Sequence, residues 1–151
     1  MTAGAALGGA ASDGVVIGVD PGRVKAGYAV LDNAGAVIEQ GICPVEGLAE
    51  RLRPLAAKHR AMAIALGGGT SAKPVAARLE SLGLPINWVD EYETTRFARE
   101  LYFADHPPAG WRRMLPRGLV SPSRPIDDYA AILIGRRHLG ARVASPARGD
   151  A

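Results

Sequence analysis

The stretch Val15–Ile42, VVIGVDPGRVKAGYAVLDNAGAVIEQGI, constrains the fold more than any other part of the chain. Three short apolar runs, Val15–Asp20, Gly27–Asp32 and Ala36–Ile42, are separated by Pro21-Gly22 and by the turn-forming Asp32–Gly35. Runs of this length bounded by turn residues predict strands. Connections this short leave no room for a crossover helix, so an antiparallel three-stranded meander is expected. Asp20 ends its first strand, where a carboxylate is costly to bury unless it is paired, hydrogen-bonded or held against a metal.

Downstream the period changes. Val45–Arg60 carries Leu48, Leu52, Leu55, Ala56 and His59 at helical spacing, with Pro54 expected to kink the helix or start a second one. Met62–Leu66 is an apolar strand, followed by a GGGTSAK loop and a helix over Pro74–Leu82 that Gly83 ends. Ile86–Asp90 is a fifth strand, and Thr94–Ala104 an amphipathic helix with Phe97 and Leu101 turned inward. From His106 to Pro125, prolines at 107, 108, 116, 122 and 125 forbid long regular structure; the segment has no acid but carries Arg112, Arg113, Arg117 and Arg124. A last helix is expected from Asp127 to Gly140. The order is three strands, then helix, strand, helix, strand, helix, loop, helix, which is an α/β class.

At 151 residues the chain is the size of one domain, and a hydrophobic fraction of 48% excludes global disorder. We expect one folded unit over 15–140, a disordered leader over 1–14 and a loose tail over 141–151. The leader lacks the charged and leucine-rich regions of a signal peptide, and no window approaches the ~20 apolar residues of a membrane span. Lys and Arg outnumber Asp and Glu by 18 to 15, a net charge of +3 that permits a nucleic-acid partner without demanding one. The lone cysteine, Cys43, excludes an intrachain disulfide and fits a reducing cytoplasm; it reads as a small core residue. His59, His106 and His138 have no metal-ligand spacing.

Acids stand at three element boundaries: Asp20; Asp90, Glu91 and Glu93; and Asp127 with Asp128. Three carboxylates from distant segments are what a hard divalent cation takes, alongside waters and substrate phosphates. Each also has a plainer role. Asp20 can be a turn residue before Pro-Gly, Asp127 and Asp128 can cap a helix, and Glu91 and Glu93 can be solvated acids at a helix start. Spacing alone leaves both readings open.

Three motifs together carry a resemblance. GVDPGRVKAGYAV is similar to the first motif of the YqgF/RuvX nucleases and their RuvC relatives, in the RNase H-like superfamily, through Asp20, Gly22, Lys25 and Gly27. VDEYETTRFA resembles their second motif and sets Glu91 on the catalytic glutamate; IDDYAAILI resembles the third and sets Asp127 on the last catalytic aspartate. The resemblance runs from about Val15 to Leu139. It implies an RNase H-like fold, a mixed five-stranded sheet with three antiparallel strands followed by parallel ones and flanked by helices. It also implies a nuclease in which Asp20, Glu91 and Asp127 are catalytic and hold one or two Mg²⁺ or Mn²⁺ ions, with Asp128 as a neighbour that helps or only caps. The substrate class it implies is structured nucleic acid, either branched DNA such as a Holliday junction or precursor ribosomal RNA.

Nucleic-acid contacts are expected from Arg23 and Lys25 beside Asp20, from Lys73 and Arg78 near the glycine loop, and from Arg96. Arg112, Arg113, Arg117 and Arg124 in the Pro/Arg loop are further candidates, with Trp111 either stacking on a base or plugging the loop onto the body. Backbone amides at Gly67, Gly68 and Gly69 could take a phosphate. A symmetric junction would suit a homodimer, although no dimer face is marked. Two other functions fit the same core: a catalytically silent RNase H-like binding module, and a small-molecule phosphotransferase, whose relatives carry two such domains.

Overall fold

The structure is a computed structural model that describes residues 14–90, 94–116, 122 and 124–150, without the side chains of 95, 112 and 141–150. The leader over 1–13 lies outside the described residues. The elements follow the expected order: β1 (Val16–Asp20), β2 (Lys25–Leu31), β3 (Val37–Pro44), α1 (Leu48–His59), β4 (Ala63–Gly67), α2 (Ala72–Leu79), β5 (Ile86–Val89), α3 (Thr94–Asp105) and α4 (Asp127–Asp150). Short 3₁₀ turns cover Val45–Gly47, Glu80–Leu82 and Gly110–Met114. The sheet order is β3-β2-β1-β4-β5. β1 pairs antiparallel with β2, and β2 with β3, while β1–β4 and β4–β5 are parallel. This is the mixed five-stranded α/β sheet that the sequence predicts.

β1 is central, so both its faces are covered and it reads as a nearly continuous apolar run. Side chains alternate across a strand. Ile17 and Val19 face one core with Leu48 and Leu52 of α1 and Val75 and Leu79 of α2. Val16, with Ala29, Leu31 and Ala65, faces a second core against Ala98 and Tyr102 of α3 and Ala131, Ile132 and Ile134 of α4. Each large aliphatic side chain buried this way contributes about 1.5–3 kcal/mol.

α4 lies across β1 and β2 at backbone distance. A Cβ on Gly18 would overlap the carbonyl of Ala131 and come within 2.9 Å of the Gly135 amide nitrogen. On the helix side, a Cβ on Gly135 would come within 2.5 Å of Leu31 Cδ1. Only glycines permit this approach.

Of the two outcomes expected at Pro54, a second helix does not begin there: α1 continues through it as one helix, and the carbonyl deprived of its partner is that of the exposed Glu50, which water can serve. Three expectations need correction. On α3 the buried stripe is Thr94, Ala98 and Tyr102, whereas Phe97 is exposed; the i, i+4, i+8 row facing α4 runs one residue later than expected. α2 starts at Ala72, two residues before Pro74, which still lies in the first turn where its missing N–H costs nothing. α4 does not stop at Gly140 but runs to Asp150, so the tail expected to be loose is helical. Gly140 is not among the positive-φ glycines and so does not act as a left-handed cap. Gly83, by contrast, has φ 73° and ends the turn after α2 as expected.

Replacing Gly18 by alanine should lower stability by about 1–3 kcal/mol, since α4 must lift from β1 to admit a methyl group. Urea denaturation checks this, and an unchanged midpoint would show that the helix has room. Cys43 is buried, and burial pushes its thiol pKa up against the small opposing effect of Arg51. Its labelling by a disulfide reagent at pH 8 should therefore follow the unfolding rate, not the rate of a free thiol.

Candidate active site

Asp20 and Gly27 are register partners at the end of the β1–β2 pair. By strand alternation Asp20 faces the α4 side of the sheet, two residues beyond Gly18. Gly27 lies on that face too, and a Cβ there would overlap the carbonyl group of Asp127 and stand 2.6 Å from the Asp128 nitrogen. The missing side chain thus lets the start of α4 rest on the strand next to Asp20. Asp20 and Asp127 are both half-buried, so two acids 107 positions apart in sequence have their backbones brought to one edge, with access to solvent.

The parallel strands β1, β4 and β5 end at that same edge, which is where ligands bind in sheets of this kind. β5 is followed by Asp90, whose carbonyl accepts a 2.6 Å hydrogen bond from Arg137 Nη1 of α4. Arg137 Nη1 also reaches Thr94 Oγ1 at 3.2 Å, fixing the start of α3. Glu91, the third predicted ligand, comes directly after Asp90 and lies outside the described residues. Among the described residues no group of three or more His, Cys, Asp or Glu gathers as a metal cluster. The two acids that do meet offer only carboxylate oxygens, the donor type a hard divalent cation takes.

Asp128 behaves differently from its neighbour. It is only 3% exposed, and its carboxylate is fully engaged. Oδ2 accepts from Gln40 Nε2 at 2.8 Å, and Oδ1 from the Tyr129 backbone nitrogen at 3.0 Å. Arg124 adds a two-pronged contact, Nη1 to Oδ1 and Nη2 to Oδ2, each 3.2 Å. Arg124 in turn lies over the rings of Tyr102 and Tyr129, at 5.6 and 5.4 Å. The Tyr129 hydroxyl donates to Asp105 Oδ2 at 2.9 Å, and His106 stacks on Tyr102. The hydrogen bond to Asp128 raises the Arg124 guanidinium above its already high range. Burial, followed by the bond to Asp105, raises the Tyr129 phenol. This clasp ties the end of the Pro/Arg loop and the C-terminal end of α3 to the first turn of α4. Arg124, a candidate phosphate contact from sequence, is held by Asp128; Asp128, a candidate ligand, is held by Gln40 and Arg124. Gln40 carries no sequence signal, but the Arg124–Asp128 spacing of four was a readable one.

The other candidates are scattered. Arg23 and Lys25 are exposed around the β1–β2 turn, Lys73 at the start of α2 and Arg78 in its last turn. Gly67 is buried at the end of β4, Gly68 half-buried, and Gly69 exposed with φ 138°. Arg96 pairs with Glu100 at 3.6 Å, on the exposed face of α3. Trp111 is 71% exposed and so does not plug the loop onto the body. Arg113 is exposed; the Arg112 side chain and all of Arg117 lie outside the described residues.

No protein-family model matches the chain, and no curated protein is detectably similar to it in sequence. Solved structures resemble it in fold. Thermus thermophilus RuvC aligns at 18% identity with a TM-score of 0.55, over 86% of this chain and 96% of that one. The same protein in complex with a Holliday junction substrate aligns at 17% identity, with the same TM-score and coverage. A ROK family glucokinase from Streptomyces griseus aligns more loosely, over 57% of this chain and 36% of its own, with a TM-score of 0.39. The fold is therefore RNase H-like, as in RuvC.

Breaking the Arg124–Asp128 pair should cost stability. Because the Arg124 side chain is 40% exposed, Arg124→Met and Asp128→Asn should each cost about 1–3 kcal/mol, below the ~3–5 of a fully buried pair. The double variant should lose less than the sum, as a double-mutant cycle in urea would measure. A coupling near zero would show that the two side chains do not act together.

Proposed function

We propose that the chain is a divalent-metal-dependent endonuclease of the YqgF/RuvX kind, hydrolysing phosphodiester bonds in structured nucleic acid. The observation that carries this reading is the meeting of Asp20 and Asp127 at one sheet edge across Gly27. Glu91, the residue after Asp90 in sequence, is the third acid in this reading. The RuvC likeness lends support, since one of those structures holds a Holliday junction substrate. Branched DNA is thus the first substrate to try, with precursor ribosomal RNA the second. A junction with two equivalent strands would be served by a two-fold homodimer, acting in the cytoplasm.

In this reading Asp20, Glu91 and Asp127 hold one or two Mg²⁺ or Mn²⁺ ions. Such an ion, when bound, supplies Lewis acidity toward phosphate oxygen and water. The chain's own residues do the remaining work. Asp20 and Asp127 orient the reacting phosphate by fixing where positive charge gathers, and their half-burial leaves the edge open to water and strand alike. Lys25, exposed at the start of β2, offers a cation five residues from Asp20 to meet the incoming phosphate. Asp128 and Arg124 hold the start of α4 so that Asp127 does not drift from β2.

The test is cleavage of labelled four-way junctions, flaps, single strands and precursor ribosomal RNA with Mg²⁺, with Mn²⁺ and with chelator. Cleavage should require the metal. Asp20→Asn, Glu91→Gln and Asp127→Asn should each lower the rate by about a hundredfold or more, since a metal site contributes several kcal/mol at roughly 1.4 kcal/mol per tenfold. Chelator-insensitive cleavage, or full activity in Asp20→Asn, would overturn the reading. Binding without cleavage in either metal would favour a silent binding module.

A further inference from the structure

A cavity of about 330 Å³ opens between the β1–β2 turn and the start of α2, lined by Gly22, Arg23, Thr70, Ser71 and Arg78. Its remaining lining residues are apolar, and none of the lining is acidic. That volume lies at the lower end of ligand pockets. Several other arginines are engaged: Arg51 binds the Tyr28 hydroxyl, Arg53 binds Ser81, and Arg136 binds the Gly35 carbonyl. The Arg23 and Arg78 guanidinium groups form no hydrogen bond or ion pair with any described residue. The chain therefore sets two uncompensated cations on one concavity.

From this we infer that the cavity is a phosphate subsite that grips a nucleic-acid strand at a backbone phosphate other than the one cleaved. Planar guanidinium forks suit phosphate oxygens in a two-pronged way. Ser71 occupies the N-cap position of α2 without making a capping hydrogen bond, so its hydroxyl is available to the same anion. The first turn of α2 holds no acid to offset that charge. The lining offers no aromatic ring on which a base could stack, so the ligand is the backbone of a strand and not a nucleobase.

Arg23 lies three residues from Asp20, at most ~11 Å along the chain, or about three base-pair steps of duplex. Asp20 faces the α4 side of the sheet and the cavity opens on the α2 side, so a strand reacting at Asp20 would have to cross the sheet edge to set a neighbouring phosphate over it. The inference rests on the nuclease reading for the strand's path, and its test is read by binding alone.

Fluorescence anisotropy with a labelled four-way junction, in chelator and across a salt series, would measure it. Arg23→Ala/Arg78→Ala should weaken binding about ten- to hundredfold and reduce the salt slope by about one or two. Arg53→Ala, whose side chain is tied to Ser81, should leave both unchanged. Arg23→Lys/Arg78→Lys should keep the slope and recover part of the affinity. A neutral methylphosphonate should then be walked along the strand. It should weaken wild-type binding at one linkage away from the cut site, and the double alanine variant should be indifferent to that substitution.

Wild-type affinity and slope in the double alanine variant, with its melting temperature unchanged, would overturn the subsite even if metal-dependent cleavage is found. A localised methylphosphonate effect lost in the variant would uphold it even if no metal supports cleavage. Failure of the wild-type chain to bind any nucleic acid would overturn both.

Discussion

The structure depends on the backbone of α4 lying directly on β1 and β2. Two glycines of the sheet, Gly18 and Gly27, and one of the helix, Gly135, remove the side chains that would hold the layers apart. Helices ordinarily rest on sheets through interdigitating side chains, so a contact this close fixes the helix along its length as well as its distance. Shifting α4 by one residue would bring a side chain to the place where Gly135 now sits against Leu31 and Gly18. The position of Asp127 beside Asp20 follows from steric fit in the core, without an attractive contact between the two acids. An arrangement that tolerates two like charges at one edge needs such external enforcement, because the carboxylates themselves repel.

The start of α4 divides its two acids by direction. Successive helical residues point about 100° apart, so adjacent aspartates cannot share an environment. Asp128 turns into Gln40 of β3 and the Arg124 fork, where its charge is balanced. Asp127 stays half-exposed at the sheet edge. Both benefit from the positive end of the helix, but only one is spent on structure. The clasp on Asp128 also reaches α3 through Tyr102 and Asp105, so the helix following Glu91 is tied to the helix carrying Asp127. Arg137, bonded to the Asp90 carbonyl, makes a second tie of the same kind on the far side.

What could be read from sequence follows from how local each signal is. The strands β1, β2 and β3 announce themselves by alternation and by Pro21-Gly22 and Asp32–Gly35, and their antiparallel order follows from loop length. Asp20 and Asp127 could be singled out because both sit where an element changes. The close approach of α4 could not be read, since Gly18 and Gly27 look like any strand glycines until the helix above them is known. Gln40 was illegible for a similar reason: its partner is 88 positions away and its type is common on exposed strands. Other departures from the pattern have local causes too. Pro54 and Gly140 are strong breakers in isolation, but the first removes a hydrogen bond only from the exposed carbonyl of Glu50 and the second does not take a positive φ. Phe97 is a large apolar side chain, yet the packed row of α3 belongs to Ala98 and Tyr102.

The sheet's direction explains why chemistry collects at one edge. β1, β4 and β5 run parallel, so the turn after β1, the glycine loop after β4 and the segment after β5 all emerge on the same side. That edge receives the acid Asp20 from the end of β1, the cation Arg23 from the turn after it, and the Gly68–Gly69 backbone from the loop after β4, with Arg78 added by α2. Such an edge could serve phosphate chemistry of several kinds, which is why fold likeness by itself does not choose among them. The choice comes from the helix brought to lie across it. By setting Asp127 beside Asp20, α4 turns an anion-attracting edge into one that also offers two carboxylate oxygen donors, with cations on its flank and acids at its centre. In the proposed reading, a strand drawn in by the flank would be presented to the acids, and the physical separation of the two charges would keep them from cancelling one another.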